Sequence, residues 1–351
     1  MNGLKEQLTG HLPRPGQTDG MVARYERTIR LVSPFGPSLG VARTLLALGT
    51  AGTLLLTPTN QLFFRSENYP TGVVCSGPAA SLSLFCVAGD SLALARGVAL
   101  VVLGLVILGI LPALTAIPHW WVTWSLYNSS PIPDGGDHVA GALTLLLAPM
   151  LLFDRRLWHW RRDRGYEDRN IVLKVFPYAF LVLIWVQVAG IYAHAAIAKL
   201  GVEEWSNGTA LWYWIQDPTF SPADPVFGVL FFVTGSFLGV ILLTYGSLAL
   251  EFGLMFGLFA PRRVRGVLWI AGLSFHAGIG VVFGLWSFFC SMAGALTLYL
   301  IRPYPPRQDG SSSSGPDEAQ DRADTDPGRR TLEEHDESRG ESDEALVVPA
   351  P

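Results

Sequence analysis

The sequence predicts an all-α, polytopic transmembrane helical bundle of about seven to nine spans, followed by a disordered acidic tail. Three observations predict it. Half of the 351 residues are hydrophobic and 15% are charged, where a soluble domain carries about 25% charged residues. Apolar runs of 17 or more residues recur along the chain, the length that crosses a hydrocarbon core of roughly 30 Å. Charge is also segregated. Residues 309–351 hold 13 acidic and 4 basic residues, a net −9, and the rest of the chain is +5.

The elements follow in order. Residues 1–37 are polar and include Lys5, Arg14, Arg24, Arg27 and Arg30. This assigns them to the cytoplasm, and they are too long and wrongly flanked for a cleaved secretory signal. A transmembrane domain over 38–301 begins with the span 38–57. The loop 58–91 carries Cys75 and Cys86. A run over 92–127 is split by Pro112 and the glycines before it into spans 92–110 and 111–127. The loop "NSSPIPDGGD" leads into the span 138–153, and "DRRLWHWRRDRGYEDR" (154–169) is the most basic loop. By the positive-inside rule that loop is cytoplasmic, like the N-terminus, and four crossings between them satisfy both. The loops 58–91, 128–137 and 200–224 then lie outside. After the span 171–198 come two apolar stretches, 226–260 and 266–301, separated by "PRRVR". At 35 residues the first is either a hairpin or one long tilted helix, because a helix that long measures about 52 Å. The segment 302–351 has too few large apolar residues to offset chain entropy.

Polar residues inside apolar runs are the informative ones, because the bilayer makes them expensive. Lys199 ends the 171–198 span. Helical geometry puts Tyr192 and Lys199 on one face and Gln187 and His194 on another, seven residues apart in each case. The residues between are small (Ala189, Gly190, Ala193, Ala195, Ala196, Ala198) and permit close helix contact. Lys199 either snorkels to the outer headgroups or turns inward. Glu251 and His276 lie amid apolar neighbours, and with Lys199 they are candidates for a proton-transferring cluster in one cavity. The alternative is a structural pair. Asp134, Asp137 and His138 sit at the mouth of a span and, with Gln187, Tyr192 and His194, are expected to line the cavity; Asp137 is also expected to cap a helix beginning at His138, and two or three such groups are a weak metal signal. No metal site is assigned. "WHW" (158–160) beside the arginines reads as an interfacial anchor. Cys75 and Cys86, in an outside loop, suit a disulfide closing about a dozen residues, worth roughly 3 kcal/mol, or remain two small unpaired residues. Cys290 is a packing residue. No phosphate loop, nucleophile elbow or H-E-x-x-H occurs, and the short juxtamembrane basic loop argues against nucleic acid.

Ile117–Trp124 ("IPHWW…"), Pro133–Asp137 ("PDGGD"), Leu143–Pro149 ("LTLLLAP"), Asp154–Trp160 ("D.R..HW") and "SLFC" at Ser83–Cys86 together resemble the sporulation-delaying protein B family. "AIAKLGVEEWSNGTALWYW" and "FHAGIGVVFGLWSFFCSMAGALTLYL" are similar to the wider HTTM superfamily, which includes vitamin K-dependent γ-glutamyl carboxylase. The resemblance covers roughly 38–301. It implies a multi-pass cell-membrane protein that works with a small companion protein on maturing or activating a secreted toxin peptide. In the carboxylase a lysine in a K-x-x-x-W context acts as the base on a reduced quinone, and Lys199, followed by Trp205, resembles that position. The chain has no counterpart of the carboxylase's large lumenal domain, so carboxylation is not expected. A quinone- or redox-linked enzyme and a non-catalytic, transporter-like partner are the other readings. No cofactor is assigned, and the expected partners are the lipid bilayer, the companion protein and the peptide.

Overall fold

The computed structural model describes residues 21–303 apart from Asn68, Asp90, Pro133, Arg162, Thr219 and Phe220, all within the unit Met1–Pro305. Residues 1–20 of the expected cytoplasmic segment and 304–351 of the expected acidic tail lie outside the described residues.

Among the described residues the regular structure is helical. The longer elements are α1 (Met21–Leu31), α2 (Pro37–Leu56), α3 (Leu92–Leu108), α4 (Ala116–Ser129), α5 (Gly135–Leu151) and α6 (Ile171–Leu200), then α7 (Ala210–Gln216), α8 (Val226–Thr234), α9 (Phe237–Phe256), α10 (Arg262–Phe283) and α11 (Trp286–Leu300). Four of them, α2, α6, α9 and α10, are long and apolar enough to cross a membrane, and α3 and α11 are shorter apolar helices. Outward faces carry large apolar side chains with nothing over them, such as Leu56 (81% exposed), Phe232 (82%) and Leu238 (69%). A contiguous apolar exterior of this kind is a liability in water and the expected surface in lipid.

Lipid tails are as apolar as leucine, so helices are held together by close packing and internal hydrogen bonds. The tightest seam is α2 against α11. It closes through glycine. A Cβ on Gly294 would meet the Ala42 carbonyl oxygen at 2.9 Å and Leu46 Cγ at 3.0 Å, and one on Gly49 would meet Ser291 Oγ at 2.6 Å. Around this seam α5 packs on α4, α6 and α11, and α6 packs on α9. Hydrogen bonds stitch the layers. The Thr123 and Thr144 hydroxyls are 2.7 Å apart between α4 and α5, Trp185 Nε1 of α6 donates to Leu298 O at 3.0 Å, and Tyr299 Oη of α11 donates to Leu254 O at 3.0 Å.

The run 92–127 divides where glycine permits. Gly109 takes a left-handed conformation (φ 81°) at the end of α3, and α4 starts at Ala116. At the far end, Cys75 and Cys86 are joined by a disulfide, and Ser129 Oγ at the end of α4 donates to Ser83 Oγ at 2.6 Å. Cys290 is unpaired.

Two sequence expectations are corrected. The stretch 226–260 is neither a hairpin of spans nor one long helix. It breaks at Gly235–Ser236 into the short α8 and the full-length α9, because Ser236 caps α9 by accepting from Gly239 N at 3.1 Å. Gly239 makes this turn possible, since a Cβ there would lie 2.0 Å from Val233 O. The cap of α5 is Asp134 rather than Asp137. Asp134 Oδ1 accepts from Gly136 N at 3.2 Å, and the two glycines become the first helical turn instead of the approach to it.

The seam yields a test. Gly294→Leu is expected to overpack it by about 1–3 kcal/mol or more, lowering the thermal midpoint in detergent by roughly 5 °C. Gly52→Ala, on α2 with nothing within 4 Å, should leave the midpoint unchanged or slightly raised. Equal behaviour of the two variants would remove the seam from the account.

Candidate functional site

Toward its end α6 carries the small residues Ala189, Gly190, Ala193, Ala195, Ala196 and Ala198, and α9 packs beside it. Between these two helices, α5 and α10 lies a cavity of about 1010 Å³. Its lining is mostly apolar, with Leu242, Leu243, Ile279, Met292, Trp205 and Trp214 among the walls.

The cavity's ionisable groups are among those singled out in the sequence, and Thr234, Ser247 and Ser274 add hydroxyls to the lining. Lys199, Glu251, His276, Gln187, Tyr192, His194 and His138 all line the cavity. They are organised as two pairs. Lys199 Nζ, from the last turn of α6, is ion-paired with Glu251 Oε1 in the second half of α9. The ammonium also lies 5.0 Å from the centre of the Trp205 ring, a favourable place for a cation. Lys199 therefore turns inward rather than toward headgroups. One heptad earlier on the same face of α6, Tyr192 Oη lies 3.0 Å from His276 Nε2 of α10. The two pairs feel each other: Glu251 acts electrostatically on Tyr192, and Lys199 on His276.

Each pair keeps one buried atom without a protein partner, Glu251 Oε2 and His276 Nδ1. Glu251 and His276 are 4% and 3% exposed. A buried acceptor left open is costly, so open valences beside a large cavity are places where a bound group can bond. Gln187 and His194 lie on the more open side of α6, and the His138 ring stacks on Tyr127 at 4.7 Å.

Asp134 and Asp137 do not line the cavity, which corrects the expectation that they do. Asp134 is drawn away by its cap and accepts from Ser287 Oγ at 3.3 Å, which ties α5 to α11. Asp137 is buried inside the bundle, while His138, one helical step round, meets the cavity. Among the described residues no group of three or more His, Cys, Asp or Glu is placed to hold a metal ion.

Sequence reasoning passed over a second polar region at the opposite end of the bundle. Arg43, His119 and His159 are fully buried there. Arg43 interrupts the first span within "GVARTLLALG", so the rule that singled out Lys199 applied to it as well. His159 is no interfacial anchor. Trp158 and Trp160 flank it on the outside, and its ring packs against Gly40 and Gly109.

Comparison with known proteins completes the description. The chain is 34% identical over 275 residues to the uncharacterized protein YitO of Bacillus subtilis (strain 168), covering 76% of this chain and 86% of that relative. It is 28% identical over 278 residues to the sporulation-delaying protein SdpB of the same organism, covering 78% and 84%. The chain belongs to the SdpB family. No family profile and no solved structure matches it.

The ion pair has a measurable signature. Removing one partner of a buried pair costs about 3–5 kcal/mol; solvent at Lys199, whose side chain is 26% exposed, reduces this to the lower end or below. Lys199→Met should therefore destabilise more than the double variant Lys199→Met/Glu251→Gln in detergent unfolding. Additive losses would show that the two side chains are not coupled.

Proposed function

We propose that this chain is a multi-pass cell-membrane protein that takes part in the maturation or activation of a secreted antimicrobial peptide. Its cavity is the working site, and Lys199, Glu251 and His276 are the groups that act. The observation that carries the reading is the relationship to sporulation-delaying protein SdpB over most of both chains. The geometry supports it in a second way. A large apolar cavity suits an apolar peptide segment, and the open Glu251 Oε2 and His276 Nδ1 are where its backbone amides would bond. Lys199 and Glu251 in contact, with Tyr192 and His276 on the same cavity, bring together side-chain types that serve as general acids and bases. A small companion membrane protein belongs to the same reading.

The proposed topology has eight crossings, α2 to α6, then α9, α10 and α11, and it is supported by the four helices long and apolar enough to cross and by the basic segments. It would put the 154–169 loop and "PRRVR" in the cytoplasm. On this topology the cavity opens toward the outer half of the membrane, on the side of the disulfide.

A second reading has one observation in its favour. The apolar volume beside Lys199 also suits a quinone-type ligand, as in a membrane-embedded redox-linked enzyme of the γ-carboxylase-like type.

Two measurements test the proposal. Co-expression of the candidate peptide with wild-type protein should give the mature secreted product by mass spectrometry. Lys199→Ala, at equal membrane level, should reduce it at least tenfold. Unchanged product would return the lysine to a structural role. A fluorescent protein fused after residue 303 should fluoresce, as cytoplasmic fusions do; a dark fusion with an active periplasmic-type reporter would contradict eight crossings.

A further inference from the structure

The second polar region carries more charge than it balances. Arg43, on α2, is 0% exposed. Its Nη2 donates to Thr115 Oγ1 at 2.7 Å, while Nε and Nη1 have no partner. The nearby carboxylate, Asp154, does not bond to it. Both oxygens of Asp154 accept from Arg156, which is also buried. Two guanidiniums therefore share one carboxylate in a dry setting. A buried charge without a counter-charge is among the costliest features a fold can carry.

The surroundings add to the positive field. Thr115 is the N-cap of α4, so Arg43 sits at the positive end of that helix. His119, one turn along α4, has Nε2 unpartnered, and both ring nitrogens of His159 are unpartnered. Both imidazoles feel Arg43. Burial, then Arg43 and Arg156, holds the His159 imidazole down at about 4, so the ring is neutral at ordinary pH and keeps one N–H to donate.

We infer that α2, α4 and the 154–161 segment enclose a site for one small inorganic anion of the halide class, held by Arg43, His119 and His159. An anion supplies what a water molecule cannot, a charge opposite to that of Arg43. Space restricts its size. A Cβ on Gly40 would lie 3.2 Å from His159 Cδ2, and one on Gly109 only 2.4 Å from it, so the ring is tightly packed on two sides, which favours a monatomic anion over a tetrahedral oxyanion. The ion would bind the cytoplasmic-loop segment to the bundle, since Leu111 N already donates to Leu157 O and His159 N to Gly109 O, each at 2.9 Å. The site is remote from the Lys199 cavity, and its test is independent of peptide maturation.

The test uses purified full-length protein in detergent. The thermal midpoint is followed against sodium chloride, with sodium gluconate at equal ionic strength as the reference. Each tenfold increase in chloride above the dissociation constant should raise the midpoint by about 3 °C, with no rise in gluconate. Arg43→Gln, which removes the charge, should abolish the difference. If that variant does not fold, His119→Leu should shift the chloride response to higher concentration. Bromide in place of chloride should give an anomalous diffraction peak beside Arg43. Equal midpoints in chloride and gluconate, a chloride effect retained by Arg43→Gln, or a water without anomalous signal at this position would each overturn the inference.

Discussion

The bilayer leaves a polar group two options, pairing inside the protein or reaching for the surface, and this constraint shapes the rest of the molecule. Lys199 and Glu251 show it most clearly. Neither helix could place its charge in lipid alone, so α6 and α9 are bound to each other by the contact between them. The small residues of α6 allow the approach, and the cavity occupies the space that they leave. Tyr192 and His276 repeat the solution one heptad away and bring in α10. The same constraint acts at the other end, where Asp154 and Arg156 pair fully and Arg43 is left with a single hydroxyl.

Packing supplies what charge does not. The α2–α11 seam relies on Gly49 and Gly294 in place of any ion pair, and the neighbouring helices are fastened by bonds from the Trp185 indole and the Tyr299 hydroxyl to backbone carbonyls. The site therefore rests on a tight, mostly apolar centre, and its polar pairs stand at the periphery of that centre.

Much of this was legible in the sequence for physical reasons. The apolar runs of α2, α5 and α6 end at prolines, glycines or charges, so their limits fall within a few residues of those read. Lys199, Glu251 and His276 stood out because ionisable groups are rare at such depth. The break at Gly235–Ser236 was hidden, because apolar residues continue on both sides and only the serine cap marks it. The cap of α5 was misplaced by three residues because "PDGGD" offers two acids, and the glycines suit a turn or a first helical turn equally well. His159 was concealed by its neighbours. Two tryptophans and a set of arginines announce an interface, and nothing local tells which of three adjacent rings turns inward.

The central claim is that the Lys199–Glu251 pair works as well as holds. Exchanging the two residues, Lys199→Glu with Glu251→Lys, retains an ion pair and moves the amine to the other wall. The account predicts near-wild-type protein level and thermal midpoint with loss of the mature secreted peptide. Full recovery of the peptide in the exchanged variant would contradict it and leave the pair as structure alone.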